Sequence, residues 1–426
     1  DSALWSRAAV VDDFHQVRPV EYTQPTQRTE FLLAYDKEHL YIGARVFEED
    51  PSLVSAKILR QGERLRADDR IGIILDPFRN KRSGYWFLVN PNSVRRDAIF
   101  KGEQTDFNWD GIWYVKSAMT DFGWSAEFAI PFKTLSFDDD ADWGLNFVRE
   151  IARNREQIGW SSTDRNYFPS VAGTVSGISG VSQGSGLDIA PSLSVQSVSD
   201  RITDESRTTT EPSLDIFYKV TPSLNASLTF NTDFSATEVD NRQVDLSRFS
   251  QFFPEKRAFF LRESEIFEFG GIGVQYGNNA RSRPDRENAR PFFSRQIGLS
   301  DSGEPVGLDI GARLAGRIGR WNLGFLGIRQ EQYEDADEPE VIDASNIFVG
   351  RLTANVLDES SAGFIVTSGD PRSNLDNQLV GVDFTYRNSR LAGGKRLEAN
   401  AWYQQSDTEG INGDDASYGF NIAYPS

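Results

Sequence analysis

The sequence has 426 residues, with 63 Asp and Glu against 45 Lys and Arg, and a formal net charge of −18. This acidic balance argues against non-specific nucleic-acid binding, which needs clustered Lys and Arg to displace counterions. Cysteine is absent, which excludes disulfides, thiolate metal sites and cysteine nucleophiles. The two histidines, His15 and His39, leave little room for a histidine-based zinc or iron centre.

The length predicts two or more domains. No apolar run reaches the roughly 18 residues of a membrane-spanning helix, whereas a barrel strand needs only about ten residues of alternating character. The chain begins at Asp1 and shows no signal peptide. We therefore expect an exported chain from which a targeting segment has been removed.

Short apolar or alternating runs, separated by turn residues, recur through the first part of the chain. This spacing, rich in Phe and Trp, is typical of an antiparallel β-sandwich. The predicted strands are Phe31–Tyr35, Leu40–Val46, Ile71–Leu75, Tyr85–Val89, Ile112–Ser117, Trp124–Ile130 and Gly144–Arg149. A single helical turn is predicted at Pro131–Leu135. We predict a jelly-roll-like sandwich over residues 1–180, followed by a Gly- and Ser-rich linker within 170–186.

From residue 187 onward the pattern predicts a set of longer strands, near the length that crosses a membrane when tilted. They lie at about 187–196, 212–219, 223–232, 306–318, 320–329, 346–355, 361–368, 378–387, 396–405 and 417–425. Tight turns at Thr221-Pro222 and Gly319-Arg320 alternate with long acidic connections at 335–343 and 407–415. This alternation is typical of bacterial barrels, so we predict a partial transmembrane antiparallel β-barrel over residues 181–426.

The fourth of these strands shows the clearest alternation. Its apolar face is predicted to hold Val306, Leu308, Ile310, Ala312, Leu314 and Ile318, and its charged face Asp309, Arg313 and Arg317. Two such faces fit a wall between lipid and a wet lumen. A soluble all-β protein with two-faced sheets is the alternative that this pattern leaves open. Because the chain ends at Tyr424-Pro425-Ser426 without a clear terminal strand, we expect the barrel to be unfinished.

A long insertion, at about 233–304, separates the third and fourth barrel strands and far exceeds a hairpin connection. It contains the box Phe252-Phe253-Pro254-Glu255-Lys256-Arg257, then Phe259-Phe260-Leu261. Aromatic residues packed on the wall, with charges paired in the lumen, would make a plug or constriction. The box is either a gate or ligand contact, or part of a folded loop that fills the barrel. The second reading is favoured, because a filled lumen needs packed and paired residues in any case.

This box resembles that of a bacterial outer-membrane family in which a domain similar to the family 9 carbohydrate-binding module precedes a β-barrel region of unknown function. The resemblance covers nearly the whole chain. Its other matching segments are Tyr41–Ala44, Asp68–Asp76, Val89–Pro91, Arg96-Asp97, Trp109-Asp110, Trp124–Glu127, Ile130–Phe132, Asn231–Phe234 and Phe292–Arg295.

The resemblance implies an outer-membrane protein with its sandwich in the periplasm. It also implies binding of a glycan or polysaccharide, with help in its passage and no turnover. Outer-membrane lipid and an envelope protein are the other partners implied. No nucleic acid is expected.

A carbohydrate-binding domain stacks aromatic faces on sugar rings and bonds their hydroxyls with planar polar groups. The candidate ligand residues are Trp109, Trp160, Trp86, Arg66, Asp69, Arg96 and Asp110. Trp109 and Trp160 come first, because both lie in polar, turn-like contexts. Trp124 and Trp143 are predicted to be core residues.

The chain departs from the binding-module pattern at two places. Modules that bind sugar ends carry a tryptophan where this sequence has Leu65 and Arg66. They carry an acidic residue where it has Ile71 or Gly72. One half of the aromatic clamp is therefore expected to be absent.

No cofactor is predicted beyond structural calcium, for which the acidic run Asp138, Asp140 and Asp142 supplies candidate ligands. A solvated acidic loop is the favoured reading, because no Asp-x-Asp-x-Asp-Gly spacing occurs. The alternative function is a membrane-associated glycoside hydrolase, which needs two carboxylates about 5–10 Å apart. Glu127 and Glu150 follow apolar strand residues and are its candidates. A third reading is an envelope-structural or protein-binding barrel.

Overall fold

A computed structural model describes residues 5–101, 104–138, 142–163, 165–200, 205–232, 255, 257–272, 289–300, 305–334, 341–391, 395–413 and 415–424. These residues form antiparallel sheets almost throughout, with a short helix, α1, at Ala258–Leu261. Within them, no helix has the length and apolar character needed to cross a membrane. The chain forms two compact units, one of residues 1–185 with 389–396 and 426, and one of residues 186–388 with 397–425.

The first unit is a β-sandwich. Its strands are β1 Ala9–Val11, β2 His15–Arg18, β3 Thr29–Tyr35, β4 His39–Phe47, β5 Arg70–Asp76, β6 Ser83–Val89, β7 Arg95–Lys101, β8 Gln104–Asp106, β9 Tyr114–Thr120, β10 Gly123–Pro131, β11 Trp143–Ile151, β12 Glu156–Gly159 and β13 Gly173–Val175. One sheet has the order β1-β3-β4-β10-β9, and the other β2-β12-β11-β5-β6-β7-β8, with β13 beside β11. Every strand predicted in this region is present, and Phe132–Thr134 forms the predicted helical turn.

The core lies between the two sheets and follows from strand alternation. Ile71, Ile73 and Leu75 on β5 all point to the inner layer and are fully buried. Across the layer, Phe31 on the first sheet stacks on Phe147 of the second, with ring centroids 4.3 Å apart. Each such side chain contributes roughly 1.5–3 kcal/mol on burial. The predicted core residues Trp124 and Trp143 are buried here, at 0% and 1% exposure.

One charged residue, Arg149 on β11, also lies in this inner layer. Its guanidinium donates to the carbonyls of Arg28 and Phe47, at 2.9 Å each, and to Thr29 Oγ1 at 3.1 Å. Glu48 lies 3.8 Å from the same group. Arg149 therefore joins the second sheet to the main chain of the first.

The second unit is one antiparallel meander. Its strands are β14 Leu187–Asp200, β15 Glu205–Thr221, β16 Leu224–Phe230, β17 Leu308–Ile318, β18 Trp321–Gln330, β19 Tyr333–Glu334, β20 Val341–Ile342, β21 Ser345–Val356, β22 Ser360–Ser368, β23 Asn377–Leu391, β24 Lys395–Thr408 and β25 Ala416–Ala423. The sheet order is β14-β15-β16-β17-β18-β21-β22-β23-β24-β25, with β19 and β20 as a separate hairpin. All ten predicted strands and both tight turns are present, so the predicted all-β class is confirmed. In the described residues the sheet is open, with β14 and β25 at its edges.

The face prediction for β17 was wrong at its first residues. A register shift between Leu308 and Ile310 places an extra residue, Asp309, in the strand. A bulge of this kind reverses the side-chain alternation beyond it. Leu308 is therefore buried with Arg313 and Arg317 on the inner face, whereas Ile310 is 42% exposed on the outer face. Val306, just before the strand, is also buried, at 1% exposure.

The inner face of this sheet is covered by parts of the insertion. Phe259, Phe267 and Phe269 pack against the wall as members of one buried apolar cluster. Glycines on the strands leave space for two of these rings. An added Cβ at Gly324 would lie 2.8 Å from the Phe267 ring, and one at Gly381 would lie 2.8 Å from Phe269.

Wall arginines bond the insertion as well. Arg313 Nη1 donates to the Phe259 carbonyl at 2.9 Å, and Arg317 pairs with Glu265 at 3.1 Å. Asp383 accepts from the Gly270 amide at 3.0 Å. The described parts of the insertion are therefore packed and paired against the inner face of the sheet.

The outer face of the meander is exposed and apolar. Its large exposed hydrophobic residues are Leu187, Ile189, Leu193, Val195, Tyr218, Leu228, Phe230, Ile310, Ile318, Trp321, Phe325, Leu352, Phe364, Val380, Val382, Phe384, Tyr403, Tyr418, Phe420 and Ile422. An apolar depression of about 740 Å³ lies among them, lined in part by Leu228, Leu314 and Leu352. The exposed pair Asp309–Arg329, 3.1 Å apart, lies at the end of this face near the long connections. We call this surface the apolar outer face.

Candidate functional site

The second sheet of the sandwich has another covered surface, on the side away from the inner core. Since alternate residues of β5 enter the core, Arg70, Gly72 and Ile74 point to this outer side. In the register of β5 and β11, Arg70 pairs with Glu150, and their side chains form an ion pair at 2.6 Å. We call this surface the arginine–aromatic face; it comprises Arg18, Arg64, Arg66, Arg70, Trp86, Arg96, Phe107, Glu150 and Tyr167.

Trp86 lies at the centre of this face. Its ring is 5.6 Å from Phe100, 5.9 Å from Phe107 and 6.1 Å from Tyr167. The indole lies across β5 because Gly72 has no side chain: a Cβ there would be 2.7 Å from Trp86 Nε1. Gly72 therefore leaves the space that this aromatic ring occupies.

Positive charge gathers around this tryptophan. The guanidinium of Arg96 stacks on the ring of Phe107, 3.8 Å from its centroid. Burial lowers the pKa of Arg96, and the nearby positive charges of Arg64, Arg70 and Arg66 lower it further. The face thus concentrates cations on a chain whose overall charge is −18.

Several buried polar atoms of this face have no hydrogen-bond partner among the described residues. They are Arg18 Nε, Arg70 Nε, Trp86 Nε1 and Glu150 Oε1. Trp86 is only 6% exposed and Arg70 9%. Burial, with the charge of Glu150, also raises the pKa of Tyr167. Unpaired buried polar atoms of this kind are uncommon in folded proteins.

Of the predicted ligand residues, the structure brings Arg66, Trp86 and Arg96 together on this face. The sequence reasoning missed Arg70 and Tyr167 as partners. Alternation along β5 could have assigned Arg70 to the outer side. The approach of Tyr167 depends on a loop fold that no local pattern encodes.

Trp109 and Asp110 lie at another place, near Asp97 on the inner side of β7. Trp109 packs on Tyr85, with centroids 5.1 Å apart, and borders the inner core. Asp97 accepts from the Gly111 amide at 2.6 Å. Burial raises the pKa of Asp97 to about 6, and the negative charge of Asp110 adds to this effect.

Trp160 and Asp69 lie apart from both places. The Trp160 ring borders the core 6.3 Å from Phe147, and its Nε1 donates to Asp13 Oδ1 at 2.9 Å. Asp69 is buried, at 1% exposure, and accepts from the Ala152 amide at 2.9 Å. Burial raises the pKa of Asp69. A ligand role for Trp109, Asp110, Trp160 and Asp69 stays a prediction.

The two candidate catalytic carboxylates are on different sheets. Glu127, on β10, accepts from Trp5 Nε1 at 2.8 Å, whereas Glu150, on β11, is paired with Arg70. The structure does not bring them together as an acid–base pair.

The calcium prediction is only partly within the described residues. Asp140 lies outside them, and Asp142 pairs with Arg79 at 3.4 Å. Among the residues that the structure describes, no group of three or more His, Cys, Asp or Glu is arranged to hold a metal. Structural calcium stays a prediction.

In the insertion box, Phe252, Phe253 and Lys256 lie outside the described residues, whereas Glu255 and Arg257 form a closed network. Arg257 donates Nε to Glu255 Oε1 and Nη2 to Glu255 Oε2, both at 2.7 Å. It also donates to the carbonyls of Ile297 and Ser294, at 2.7 and 2.6 Å. Its guanidinium lies 4.2 Å from the Phe260 ring centroid. The pair therefore ties two segments of the insertion together.

Comparison with known proteins adds a family match over part of the chain. The model of a family described as "Domain of unknown function (DUF5916)" matches residues 186–285, which include β14–β16. No curated protein is significantly similar in sequence.

Two solved structures are similar in part. One is a "putative carbohydrate-binding protein" from Bacteroides uniformis, with 17% identity and a TM-score of 0.32, covering 38% of this chain and 85% of that one. The other is an anion-selective porin from Comamonas acidovorans, with 8% identity and a TM-score of 0.27, covering 97% and 98%. At these TM-scores neither supports a functional assignment.

Proposed function

We propose that the protein is an outer-membrane protein whose ten-stranded sheet lies in the lipid and whose sandwich binds a glycan at the cell envelope. The observation that carries the membrane part is the apolar outer face. Outward apolar residues, with charged and polar residues facing a filled interior, are the pattern of barrel strands in lipid. Large exposed apolar patches are rare on soluble monomers.

The aromatic residues of this face support the same assignment. Tyr218 and Trp321 lie near the end with the tight turns, and Phe230, Tyr403 and Tyr418 near the other end. Bands of aromatic residues at both interfaces are typical of outer-membrane barrels.

Loop lengths support a periplasmic sandwich. Residues 222–223, 319–320 and 357–359 connect strands at one rim, and 231–307, 331–344 and 369–376 at the other. Bacterial barrels have short turns on the periplasmic side and longer loops outside. Leu187, the first residue of β14, pairs with Tyr218 near the short-turn rim. The chain therefore enters the barrel at the rim that we assign to the periplasm.

The membrane assignment can be tested with spin labels on single cysteines, because the chain contains none of its own. Leu352→Cys places a label on the apolar outer face, and Leu59→Cys places the control on the sandwich; their leucines are 44% and 76% exposed. In bilayers, we expect the label at 352 to be accessible to oxygen and shielded from a polar nickel reagent, and the control to show the reverse. Equal nickel access at both positions would contradict the assignment.

The arginine–aromatic face is the observation that supports the proposed binding of a glycan. It offers aromatic surface beside planar guanidinium donors, the combination that recognises sugars. A hydrolase is less well supported, since its two candidate carboxylates are on different sheets. A purely structural or protein-binding barrel would leave this face without a ligand.

Phe107 and Phe122 offer a matched pair for the glycan test, since both are 36% exposed. Phe107 supports Arg96, whereas Phe122 packs on Phe47 elsewhere in the sandwich. We expect Phe107→Ala to weaken binding by about tenfold in a titration of the full chain in nanodiscs with envelope and algal polysaccharides, and Phe122→Ala to leave it unchanged. If no polysaccharide bound, the proposal that the sandwich binds a glycan would be contradicted.

A further inference from the structure

We infer that the ligand of the arginine–aromatic face is an anionic glycan, one carrying carboxylate or sulfate groups, rather than a neutral sugar. This inference rests on the proposed glycan binding and adds the charge class of the ligand.

The first step is the local charge. Trp86 lies between Tyr167 and Phe107, and Arg96 stacks on Phe107. Arg64, Arg66 and Arg70 lie near Arg96, and Arg18 lies near Tyr167. Two acids lie near the same groups, Glu63 near Arg96 and Glu150 near Tyr167. Glu150 is engaged by Arg70 at 2.6 Å. The face thus has an excess of positive charge, whereas the chain as a whole has an excess of 18 negative charges.

The second step is the hydrogen-bonding capacity that remains. Arg64 and Arg66 are exposed, so their guanidinium groups present donors that a ligand can reach. A neutral sugar would have to satisfy these donors with hydroxyl oxygens alone. Carboxylate and sulfate oxygens make shorter, stronger bonds to guanidinium, and often two at once.

The third step is access. Arg66, on the turn Leu65–Ala67, and Arg64, just before that turn, are both exposed. Phe107, which stacks on Arg96, is 36% exposed. A ligand can therefore reach the exposed guanidinium groups and an aromatic surface from solvent.

The test is titration calorimetry on the full chain in nanodiscs at low salt. Four probes are compared: an oligogalacturonate, a sulfated galactan oligosaccharide, a neutral galactan oligosaccharide of similar length, and inorganic sulfate. We expect at least one acidic oligosaccharide to bind ten or more times more tightly than the neutral one. Its affinity should fall as salt is raised, because the contacts are ionic.

The variant Arg66→Gln should lower the affinity for the acidic oligosaccharide by about tenfold. It should leave any affinity for the neutral oligosaccharide unchanged. Arg7→Gln is the control, because Arg7 is also exposed but lies on the distant turn Trp5–Arg7. The two acidic probes show whether carboxylate or sulfate is the group recognised.

Three results would overturn the inference. Equal affinity for acidic and neutral oligosaccharides, with no effect of Arg66→Gln, leaves glycan binding intact but removes the charge preference. Sulfate that binds as tightly as the sulfated oligosaccharide shows an ion site without sugar recognition. No binding by any oligosaccharide removes the proposed glycan function itself.

Discussion

Single residues of the sandwich hold ionisable groups where burial makes a charge costly, and Asp97 is one of them. Its pKa of about 6 is well above that of a free aspartate, mainly because of burial. The folded protein therefore binds a proton at Asp97 more tightly than the unfolded chain does. By linkage, the contribution of Asp97 to the stability of the sandwich is fully present below the unfolded pKa of about 3.9 and is lost as pH rises to about 6.

We expect this fall to amount to about 1–2 kcal/mol, since the side chain is only partly buried. The variant Asp97→Asn should abolish it, because Asn keeps an acceptor for the Gly111 amide and carries no charge. Urea unfolding of the full chain between pH 4 and pH 7 can follow it, since seven of the nine tryptophans lie in residues 1–185. Asp110→Asn is the control and should reduce the slope without removing it. A slope unchanged in Asp97→Asn would contradict the assignment.

At the scale of elements, the fit between β18 and the insertion can be tested with two glycines of the same strand. A Cβ at Gly324 would meet Phe267 at 2.8 Å, whereas nothing lies within 4 Å of a Cβ at Gly327. We expect Gly324→Ala to cost about 1–3 kcal/mol through overpacking, and Gly327→Ala to cost almost nothing. This loss of stability can be measured as a fall in the temperature at which the folded protein changes to the gel mobility of the unfolded chain. Equal temperatures for the two variants would show that the insertion does not press on the wall.

The apolar outer face predicts a second difference between matched residues. Val382 on β23 is 52% exposed and Val20 in the sandwich is 57% exposed. If β23 crosses the bilayer, Val382→Arg should destabilise the protein in lipid by about 2–4 kcal/mol. Val20→Arg should cost less than about 0.5 kcal/mol, as ordinary surface changes do. The free energies of unfolding of the two variants can be compared in lipid vesicles. Two equally small losses of stability would argue that the sheet is exposed to water.

The strands were predictable because their alternation is local, whereas the strands that the sequence missed lack it. β7 reads Arg95-Arg96-Asp97 at its start, and charges of this kind do not predict a strand. The bulge at Asp309 was equally hidden, since an extra residue leaves no mark in a one-dimensional pattern. The candidate site could be predicted only in part: Arg66, Trp86 and Arg96 were chosen by residue type, but their grouping depends on the pairing of β5, β6, β7 and β11.

At the scale of the whole molecule, an insertion that is packed and ion-paired against the inner face of the sheet predicts a barrel whose interior is blocked to ions. We expect the purified protein in planar bilayers to show little conductance compared with an open porin. Arg257→Ala removes the bonds to Glu255, Ile297 and Ser294 and should produce larger, fluctuating currents. The control is Arg329→Ala, whose pair with Asp309 lies on the outer face. Wild-type currents as large as those of a porin would show that the interior is open.

The contacts of Arg149 bear on how the two halves of the sandwich find each other. Apolar faces of similar shape can slide and dock one residue out of place with little loss of buried area. A guanidinium that missed the carbonyls of Arg28 and Phe47 would be buried without acceptors, at a cost of several kcal/mol. Misaligned dockings are therefore penalised far more than the apolar layer alone would penalise them. One buried cation thus makes the correct alignment of the two sheets the strongly preferred one.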